Sequence, residues 1–312
     1  MSTTKKTIAV VGATGNQGSS VARTFLALSN WNVRCLTRDP SKPIAKELAS
    51  LGAEFITADL SDRSSLAKAF DSVHAIFLNT DFWQTWRPAK AAADAAGQGF
   101  EVASATAFEV ETSQRKNVAD AAAAVPTLER LIVSTLPSVE KASKGKYRRS
   151  MHSQAKAWVV DYIVDELPEL AKKTSYIILG AYHDNALVLP REDPSSGKYV
   201  LALPFEKGHK MPIINAKQST GRFVRALVED EQAGKFLLAY DTYPTFEEVV
   251  KDWAKVNGKE VMYVKVSIDD IRTKSGLTDE HLEPLAAFAE GASYTAGIEG
   301  VVEPHHLVNK GE

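Results

Sequence analysis

Short runs of apolar residues alternate with longer amphipathic segments through the first half of the chain. Apolar runs of this kind are typical of strands that are covered on both faces of a sheet. The pattern predicts strands at residues 7–11, 32–37, 54–57, 75–79, 130–134 and 175–179. It predicts helices at residues 17–29, 43–51, 64–70 and 152–166, and an alanine-rich helix that ends near Ala124. Since helices between buried strands imply parallel crossovers, the chain is expected to form a Rossmann-type, doubly wound parallel sheet of the α/β class.

The alternation changes at two places along the chain. Residues 82–106 form an alanine- and glycine-containing stretch that a tight crossover does not require, and we interpret it as an insertion or a lid. After Asn185, short predicted strands mix with helices, at residues 199–202, 235–239 and 261–266 and at residues 218–229, 246–256 and 267–275. Thr245 and Glu248 have the spacing of a capping box. We therefore predict a Rossmann domain over residues 1–185, to which some later segments return, and a smaller α+β domain over residues 186–312.

The composition is that of an ordinary globular protein. Hydrophobic residues make up 44% of the 312 residues and charged residues 24%, and the formal net charge is -2. The basic segment at residues 144–149 is short, so we interpret it as a solvated loop and expect no direct binding of nucleic acid. No apolar run has the length of a membrane-spanning helix. We expect a protein of the cytoplasm, with the nucleus as a second location, and the oligomeric state stays open.

Two classes of site are excluded by the residue types. Because Cys35 is the only cysteine, an intramolecular disulfide is impossible. Because it lies in an apolar run, we expect it to be a buried hydrophobic residue. No group of histidines and cysteines has zinc spacing, and no G-x-S-x-G motif is present. The sequence therefore predicts neither a metal site nor a hydrolytic nucleophile.

The strongest local signal is the segment TIAVVGATGNQGSSVARTFL, in which a strand leads through three glycines into a helix. Gly12 permits a tight turn, Gly15 allows a pyrophosphate to approach the backbone, and Gly18 lets the helix pack closely. The helix N-terminus offers unpaired N–H groups to the phosphates. The turn therefore predicts a dinucleotide site, with Thr14, Asn16 and Gln17 as further contacts.

The ends of the next strands indicate which dinucleotide is bound. Arg38 follows the second strand and Lys42 lies close behind it, and a guanidinium at this point suits the 2′-phosphate of NADP(H). In the alternative, Asp39 accepts from the ribose of NAD(H) and Arg38 is a surface cation. We favour NADP(H). The third and fourth strands place further contacts at the same edge, namely Asp59, Leu60, Asn79 and Thr80.

Several segments together resemble the NmrA-like family of atypical short-chain dehydrogenase/reductases. They are GATGNQG, RCLTRDP, FLNTDFW, HSQAK, SYIILGAYHDN, GKYVLALP, MPIINAKQSTGRFV and TFEEVVKDWAKVNGKEV. The resemblance implies that the lysine of the fifth helix and the segment after the sixth strand contact the nicotinamide half of the nucleotide. In this sequence these residues are Lys156, Tyr182, His183, Asp184 and Asn185. The family contains both reductases and NADP-sensing regulators, so the resemblance leaves both functions open.

The fifth helix carries the candidate acid–base chemistry. Typical members of the larger superfamily have a Tyr-x-x-x-Lys pair there, whereas this chain has His152 and Lys156, one helical turn apart on one face. An imidazole can donate a proton near neutral pH. His152 is therefore a candidate acid, or alternatively a residue that only packs at the helix start. Ser134 is a candidate substrate-orienting hydroxyl, or a hydrogen-bonded turn serine.

Further side chains complete the candidate site. Tyr147 and Tyr182 are alternative proton donors. Phe82, Trp83 and Trp86 are interpreted either as an aromatic wall over the nicotinamide or as core. These features favour an NADPH-dependent reductase, or a cofactor-dependent isomerase, of a small and largely apolar metabolite. The alternative is a non-catalytic NADP(H) redox-sensing regulator that binds a protein partner.

Overall fold

The computed structural model of the chain describes residues 5–194 and 196–308. Its strands are β1 Lys6–Val10, β2 Trp31–Thr37, β3 Glu54–Thr57, β4 Ala75–Leu78, β5 Arg130–Thr135, β6 Thr174–Leu179, β7 Ala181–Tyr182, β8 Arg191–Glu192, β9 Tyr199–Leu203, β10 Ile213–Ile214, β11 Phe236–Ala239, β12 Val261–Lys265 and β13 Val301–Val302. Its helices are α1 Asn16–Leu26, α2 Pro43–Ser50, α3 Arg63–Ala69, α4 Phe82–Ala95, α5 Phe100–Ala123, α6 Val139–Ala142, α7 Met151–Glu166, α8 Pro168–Ala171, α9 Ala216–Glu229, α10 Phe246–Asn257, α11 Ile268–Ser275 and α12 Asp279–Ala289, followed by a 3₁₀ turn at Pro304–His306.

The central sheet has eight strands in the order β3-β2-β1-β4-β5-β6-β11-β13. All of its strand pairs are parallel. The order runs outward in both directions from β1 and β4, which is the arrangement of a doubly wound sheet. The predicted fold class is confirmed, and the six strands predicted in the first half lie within about one residue of the observed bounds.

A hydrophobic core lies on each face of this sheet. On one face, Phe25 of α1 and Phe223 of α9 pack with the buried side chains of β1 and β2. On the other face, Phe70 after α3, Val118 of α5 and Ile163 of α7 pack against β4 and β5. Strands that are apolar on both faces are thereby buried on both faces, as the sequence pattern requires.

The later part of the chain contributes to three sheets, one of which is the two-stranded pair of β10 with β7. The predicted strand at residues 235–239 is β11, which pairs with β6 in the central sheet. β13 extends the same sheet by pairing with β11. In contrast, β8, β9 and β12 form a separate three-stranded sheet. Its core contains Leu201, Phe205, Met211 and Phe246. Thr245 and Glu248 form the predicted capping box at the start of α10.

The stretch at residues 82–106 is helical. It contains α4 and the first part of α5, and both helices belong to the crossover between β4 and β5. Phe82 and Trp86 of α4 pack against Ala103 and Ala107 of α5 and against Ala155 of α7. The apolar period was obscured here because many of the packing residues are alanines. This helix pair places α4 along one wall of the cavity described below.

Candidate functional site

The glycine turn between β1 and α1 has the geometry that its sequence predicts. Gly12 has a φ of +75°, and a Cβ added there would lie 2.9 Å from the Asn79 carbonyl oxygen. A Cβ at Gly18 would lie 2.2 Å from the Gly12 carbonyl oxygen, so α1 approaches the turn as closely as glycine allows. No side chain caps the helix at Gly15, which leaves the first N–H groups of α1 for an anionic ligand.

A cavity of about 740 Å³ lies beside this turn, at the carboxyl ends of β1 to β4. This is the edge at which open α/β sheets bind their ligands. Nine predicted contacts line it, namely Gly12, Thr14, Gly15, Arg38, Lys42, Asp59, Leu60, Asn79 and Thr80. A further wall, which the sequence did not predict, is formed by Asp81, Gln84, Thr85, Arg87, Pro88 and Gln114 at α4 and α5.

The residues after β2 separate the two nucleotide alternatives. Arg38 and Lys42 are exposed and line the cavity. Among the described residues, Arg38 has no hydrogen bond or ion pair. Asp39 Oδ1 instead accepts from Ser41 N at 2.9 Å and from Ser41 Oγ at 2.5 Å. These hydrogen bonds lower the pKa of the Asp39 carboxyl. Arg38 and Lys42 line the cavity, whereas Asp39 does not.

A buried network of hydrogen bonds connects the cavity wall with α7. Lys156 Nζ donates to Glu111 Oε1 at 2.6 Å and to the Thr80 carbonyl oxygen at 3.0 Å. The Thr80 hydroxyl donates to the same Glu111 oxygen. Thr80 lines the cavity, whereas Lys156, with 14% of its side chain exposed, lies behind it. Lys156 and Glu111 are thus connected to the cavity through Thr80.

The charges of this network are two cations and one anion. Arg115 is fully buried and donates to the Ser134 carbonyl oxygen. Burial alone would raise the pKa of the Glu111 carboxyl, but the charges of Lys156 and Arg115 outweigh burial and lower it. Burial lowers the pKa of the Lys156 ammonium, Glu111 opposes this effect, and Arg115 adds to it. Glu111 is therefore the anion that stabilises both buried cations.

His152 is paired with a carboxylate from the later part of the chain. Its Nδ1 lies 2.7 Å from Oε1 of Glu280, and its backbone N donates to the same oxygen at 2.8 Å. Glu280, on α12, is fully buried. The Trp83 ring lies between His152 and His281, at centroid distances of 5.1 Å and 4.7 Å. Burial lowers the pKa of His281 to about 4, with a further contribution from His152, so His281 is neutral at physiological pH.

Comparison with known proteins identifies the family. The model of the NmrA-like family matches residues 4–306. The chain belongs to the NmrA-like family. It is 24% identical over 311 residues to the NmrA-like family domain-containing oxidoreductase ptmS of Penicillium ochrochloron, and the match covers 90% of this chain and 85% of that relative. The resemblance inferred from the sequence motifs is thus confirmed.

Two solved structures have the same fold as this NmrA-like chain. One is NmrA, a negative transcriptional regulator, in complex with NADP, with a TM-score of 0.69, 21% identity, and coverage of 93% of this chain and 82% of that one. The other is the NADPH-dependent quinone oxidoreductase QOR2 of Escherichia coli in complex with NADPH. Its TM-score is 0.64 at 21% identity, with coverage of 94% of this chain and 91% of that one.

The remaining predicted contacts of the NmrA-like chain lie outside the cavity lining. Gln17 Nε2 donates to the Tyr182 hydroxyl at 2.8 Å, which joins the first turn of α1 to the segment after β6. His183, Asp184 and Asn185 follow Tyr182 in an exposed turn. Asn16 and Gly18 belong to the first turn of α1. The cavity and this segment therefore flank the same helix N-terminus.

Three sets of candidate side chains do not line the cavity. Phe82 and Trp86 are buried in the core between α4 and α5, and Trp86 Nε1 donates to Ser104 Oγ at 2.9 Å, which favours the alternative that these rings belong to the core. Ser134 is buried and does not line the cavity. The Tyr147 hydroxyl donates to Glu290 at 2.7 Å, and Tyr147 does not line the cavity.

Sequence reasoning also missed four charged or aromatic partners, which are Glu111, Arg115, Glu280 and His281. The burial of Glu111 and Arg115 could have been predicted from their spacing, because they lie on the helix face that also carries the buried Val118 and Ala122. Charges on an apolar helical face indicate a buried ion pair. Helix α12 was not predicted, since Pro284 interrupts its pattern, so Glu280 had no predicted position.

Two further findings concern the described residues as a whole. In residues 5–194 and 196–308, no helix combines the length and the apolarity needed to cross a membrane. Within the same ranges, no group of three or more histidine, cysteine or acidic side chains has the geometry to hold a metal ion.

Proposed function

We propose that this NmrA-like protein binds NADP(H) in the cavity and uses NADPH to reduce a small, largely apolar metabolite. The observation that carries the nucleotide assignment is the position of Arg38 and Lys42, two exposed cations in the wall of a cavity that begins at a glycine turn. The curated relative ptmS bears the name of an oxidoreductase, and QOR2 is an NADPH-dependent oxidoreductase. Both names support the reductase assignment.

The residues present fit such a nucleotide. The close approach of Gly12 and Gly18 leaves space where side chains would otherwise stand, and the uncapped N-terminus of α1 suits a pyrophosphate. Arg38 and Lys42 suit the 2′-phosphate, since a guanidinium binds phosphate oxygens in a bidentate manner. Asp59 and Leu60 suit the adenine, and Thr80 with Lys156 suits the nicotinamide half.

The proposed chemistry divides between the nucleotide and the chain. When bound, NADPH supplies a hydride. Lys156 donates hydrogen bonds at the edge of the cavity and contributes positive charge there. His152 lies one helical turn before Lys156, and Glu280 lies against its Nδ1. Its Nε2, which lies 3.3 Å from Ser153 Oγ, is the nitrogen proposed to give a proton to the oxygen of a reduced carbonyl.

Calorimetric titration of NADPH and NADH tests the nucleotide assignment. We expect wild type to bind NADPH more tightly than NADH. Arg38→Ala should weaken NADPH binding by about tenfold to a hundredfold, because a hydrogen bond to a charged group contributes about 1.5–3 kcal/mol. NADH binding serves as the internal control and should change little. Equal loss of both affinities, or equal affinities in wild type, would contradict a phosphate site at Arg38.

A panel of carbonyl and enone compounds tests the reductase assignment by following NADPH oxidation. Lys156→Ala should abolish turnover. His152→Asn should lower turnover by about a hundredfold or more, because an asparagine amide retains a donor toward Glu280 but removes the acid. If the asparagine variant keeps the wild-type rate, His152 is not the acid.

A regulator is the second candidate function. The chain has His152 in place of the usual tyrosine, and it shares its fold with NmrA, a negative transcriptional regulator. In this case nucleotide occupancy changes the affinity for a protein partner. Pull-down experiments with and without NADPH separate the two functions. Absence of turnover together with a nucleotide-dependent partner supports the regulator, and a partner set that is indifferent to NADPH counts against it.

A further inference from the structure

We infer that Glu111 is the residue that positions Lys156 and Thr80 at the nicotinamide end of the cavity, an inference that rests on the proposed function. A single oxygen of Glu111 accepts from both side chains, at 2.6 Å from Lys156 Nζ and in a short hydrogen bond from the Thr80 hydroxyl. Three elements meet at this atom, namely the carboxyl end of β4, helix α5 and helix α7. One carboxylate thereby sets the relative placement of two groups at the cavity edge.

The burial of Glu111 argues against a purely structural role for this residue. Only 2% of its side chain is exposed, and its second oxygen has no hydrogen-bond partner in the described structure. A buried carboxylate with an unsatisfied oxygen costs stability, and an apolar pair of similar volume at such a place is often neutral or more stable. The presence of the Glu111 carboxylate directly behind Thr80 therefore indicates that Glu111 has a role in the site.

The electrostatic role follows from the groups that face Lys156. On α5 these are Glu111 and Arg115, and after β4 there is Asp81. His152 lies one turn earlier on α7, the helix of Lys156 itself. Burial and Arg115 favour the neutral amine, while Glu111 and Asp81 favour the ammonium. Glu111 is the anion in direct contact, so it both directs Lys156 and favours its protonated form.

The variant Glu111→Gln separates charge from shape, because the amide oxygen can still accept from Lys156 and Thr80. We expect kcat/KM to fall by about tenfold to a hundredfold, since small misplacements at a reacting site have effects of that order. Without the counter-charge, Lys156 loses its proton at lower pH. NADPH affinity, measured by fluorescence across a pH series, should therefore begin to decline at lower pH than in wild type.

Two further variants complete the experiment. Glu109→Gln removes an exposed charge two residues earlier on the same helix and should keep the wild-type pH dependence. Glu111→Asp keeps the charge but shortens the side chain. It should retain the wild-type pH dependence of NADPH affinity while lowering kcat, and it replaces Glu111→Gln if that variant does not fold.

The outcomes distinguish this inference from the proposed function. If wild type does not bind NADPH or oxidises it with no compound of the panel, the proposed function fails and the inference fails with it. If Lys156→Ala leaves binding and turnover unchanged, Lys156 has no role in the site and the inference fails while the proposed function stands. If Lys156→Ala lowers them but Glu111→Gln lowers only the melting temperature, with wild-type kcat/KM and pH dependence, the role of Glu111 is structural and this inference alone is wrong.

Discussion

Replacing Gly18 with alanine is expected to destabilise the protein and to abolish nucleotide binding. The added Cβ would lie 2.2 Å from the Gly12 carbonyl oxygen and 2.8 Å from the Ala13 Cα, which are backbone atoms that no rotamer change can move away. We expect a loss of at least about 3 kcal/mol in the free energy of unfolding, at the upper end of overpacking effects. Thermal unfolding and NADPH titration measure the two consequences.

The matched control for Gly18 is Gly208→Ala. A Cβ at Gly208 would meet no atom within 4 Å, so this substitution should leave both the melting temperature and the NADPH affinity close to wild type. The comparison isolates the close approach of α1 to the turn from the general effect of replacing a glycine. If Gly18→Ala has wild-type stability and affinity, the turn accommodates a Cβ at residue 18 and the steric argument is wrong.

Glu280→Ala is expected to have the second largest effect, because this carboxylate caps helix α7 from α12. Ser150, at the N-cap position of α7, makes no side-chain capping hydrogen bond, while Glu280 accepts from the backbone N of His152 and lies against its Nδ1. Loss of a cap and of a charge-assisted hydrogen bond together should cost about 2–4 kcal/mol in unfolding free energy. Turnover should fall as well, because His152 loses its orientation.

Chemical denaturation and turnover measure these effects, with Glu260→Ala as control. Glu260 is an exposed carboxylate in the same part of the chain, so its removal should change neither quantity appreciably. A double-mutant cycle with His152→Ala, which leaves no side-chain donor toward Glu280, isolates the coupling between the two partners. A coupling energy near zero would mean that Glu280 stabilises α7 only through the backbone and does not orient the imidazole.

The fold followed from the sequence wherever local pattern and burial agreed. Apolar runs such as the one at β4 are buried on both faces, so their type and approximate bounds were predictable. The glycine turn was predictable because its three glycines have separate steric reasons. In contrast, the pattern at residues 235–239 identified a strand but not its sheet, because pairing with β6 depends on the path of the chain between them.

Only the part of the candidate site that is formed by the glycine turn and the strand ends was predictable from the sequence. Arg38 and Thr80 stand at strand ends, and strand ends of a parallel sheet share one edge. Glu111 and Glu280 reach Lys156 and His152 from distant segments, and no spacing along the chain relates the partners. Long-range pairs of this kind are fixed by helix packing, which single-sequence patterns do not specify.

The contact between α1 and α9 has a consequence for how the protein folds. The backbone N of Gly221 donates to Ser20 Oγ at 2.9 Å, and a Cβ at Gly221 would lie 2.4 Å from the Ser20 carbonyl oxygen, so the two helices are almost in backbone contact. Phe25 of α1 also shares a core with Phe223 of α9, so the helix that begins the nucleotide site keeps part of its surface uncovered until α9 has left the ribosome. Because β11 and β13 also join the sheet late, the Rossmann core cannot be completed during synthesis of its first half, and its assembly depends on contacts of high sequence separation.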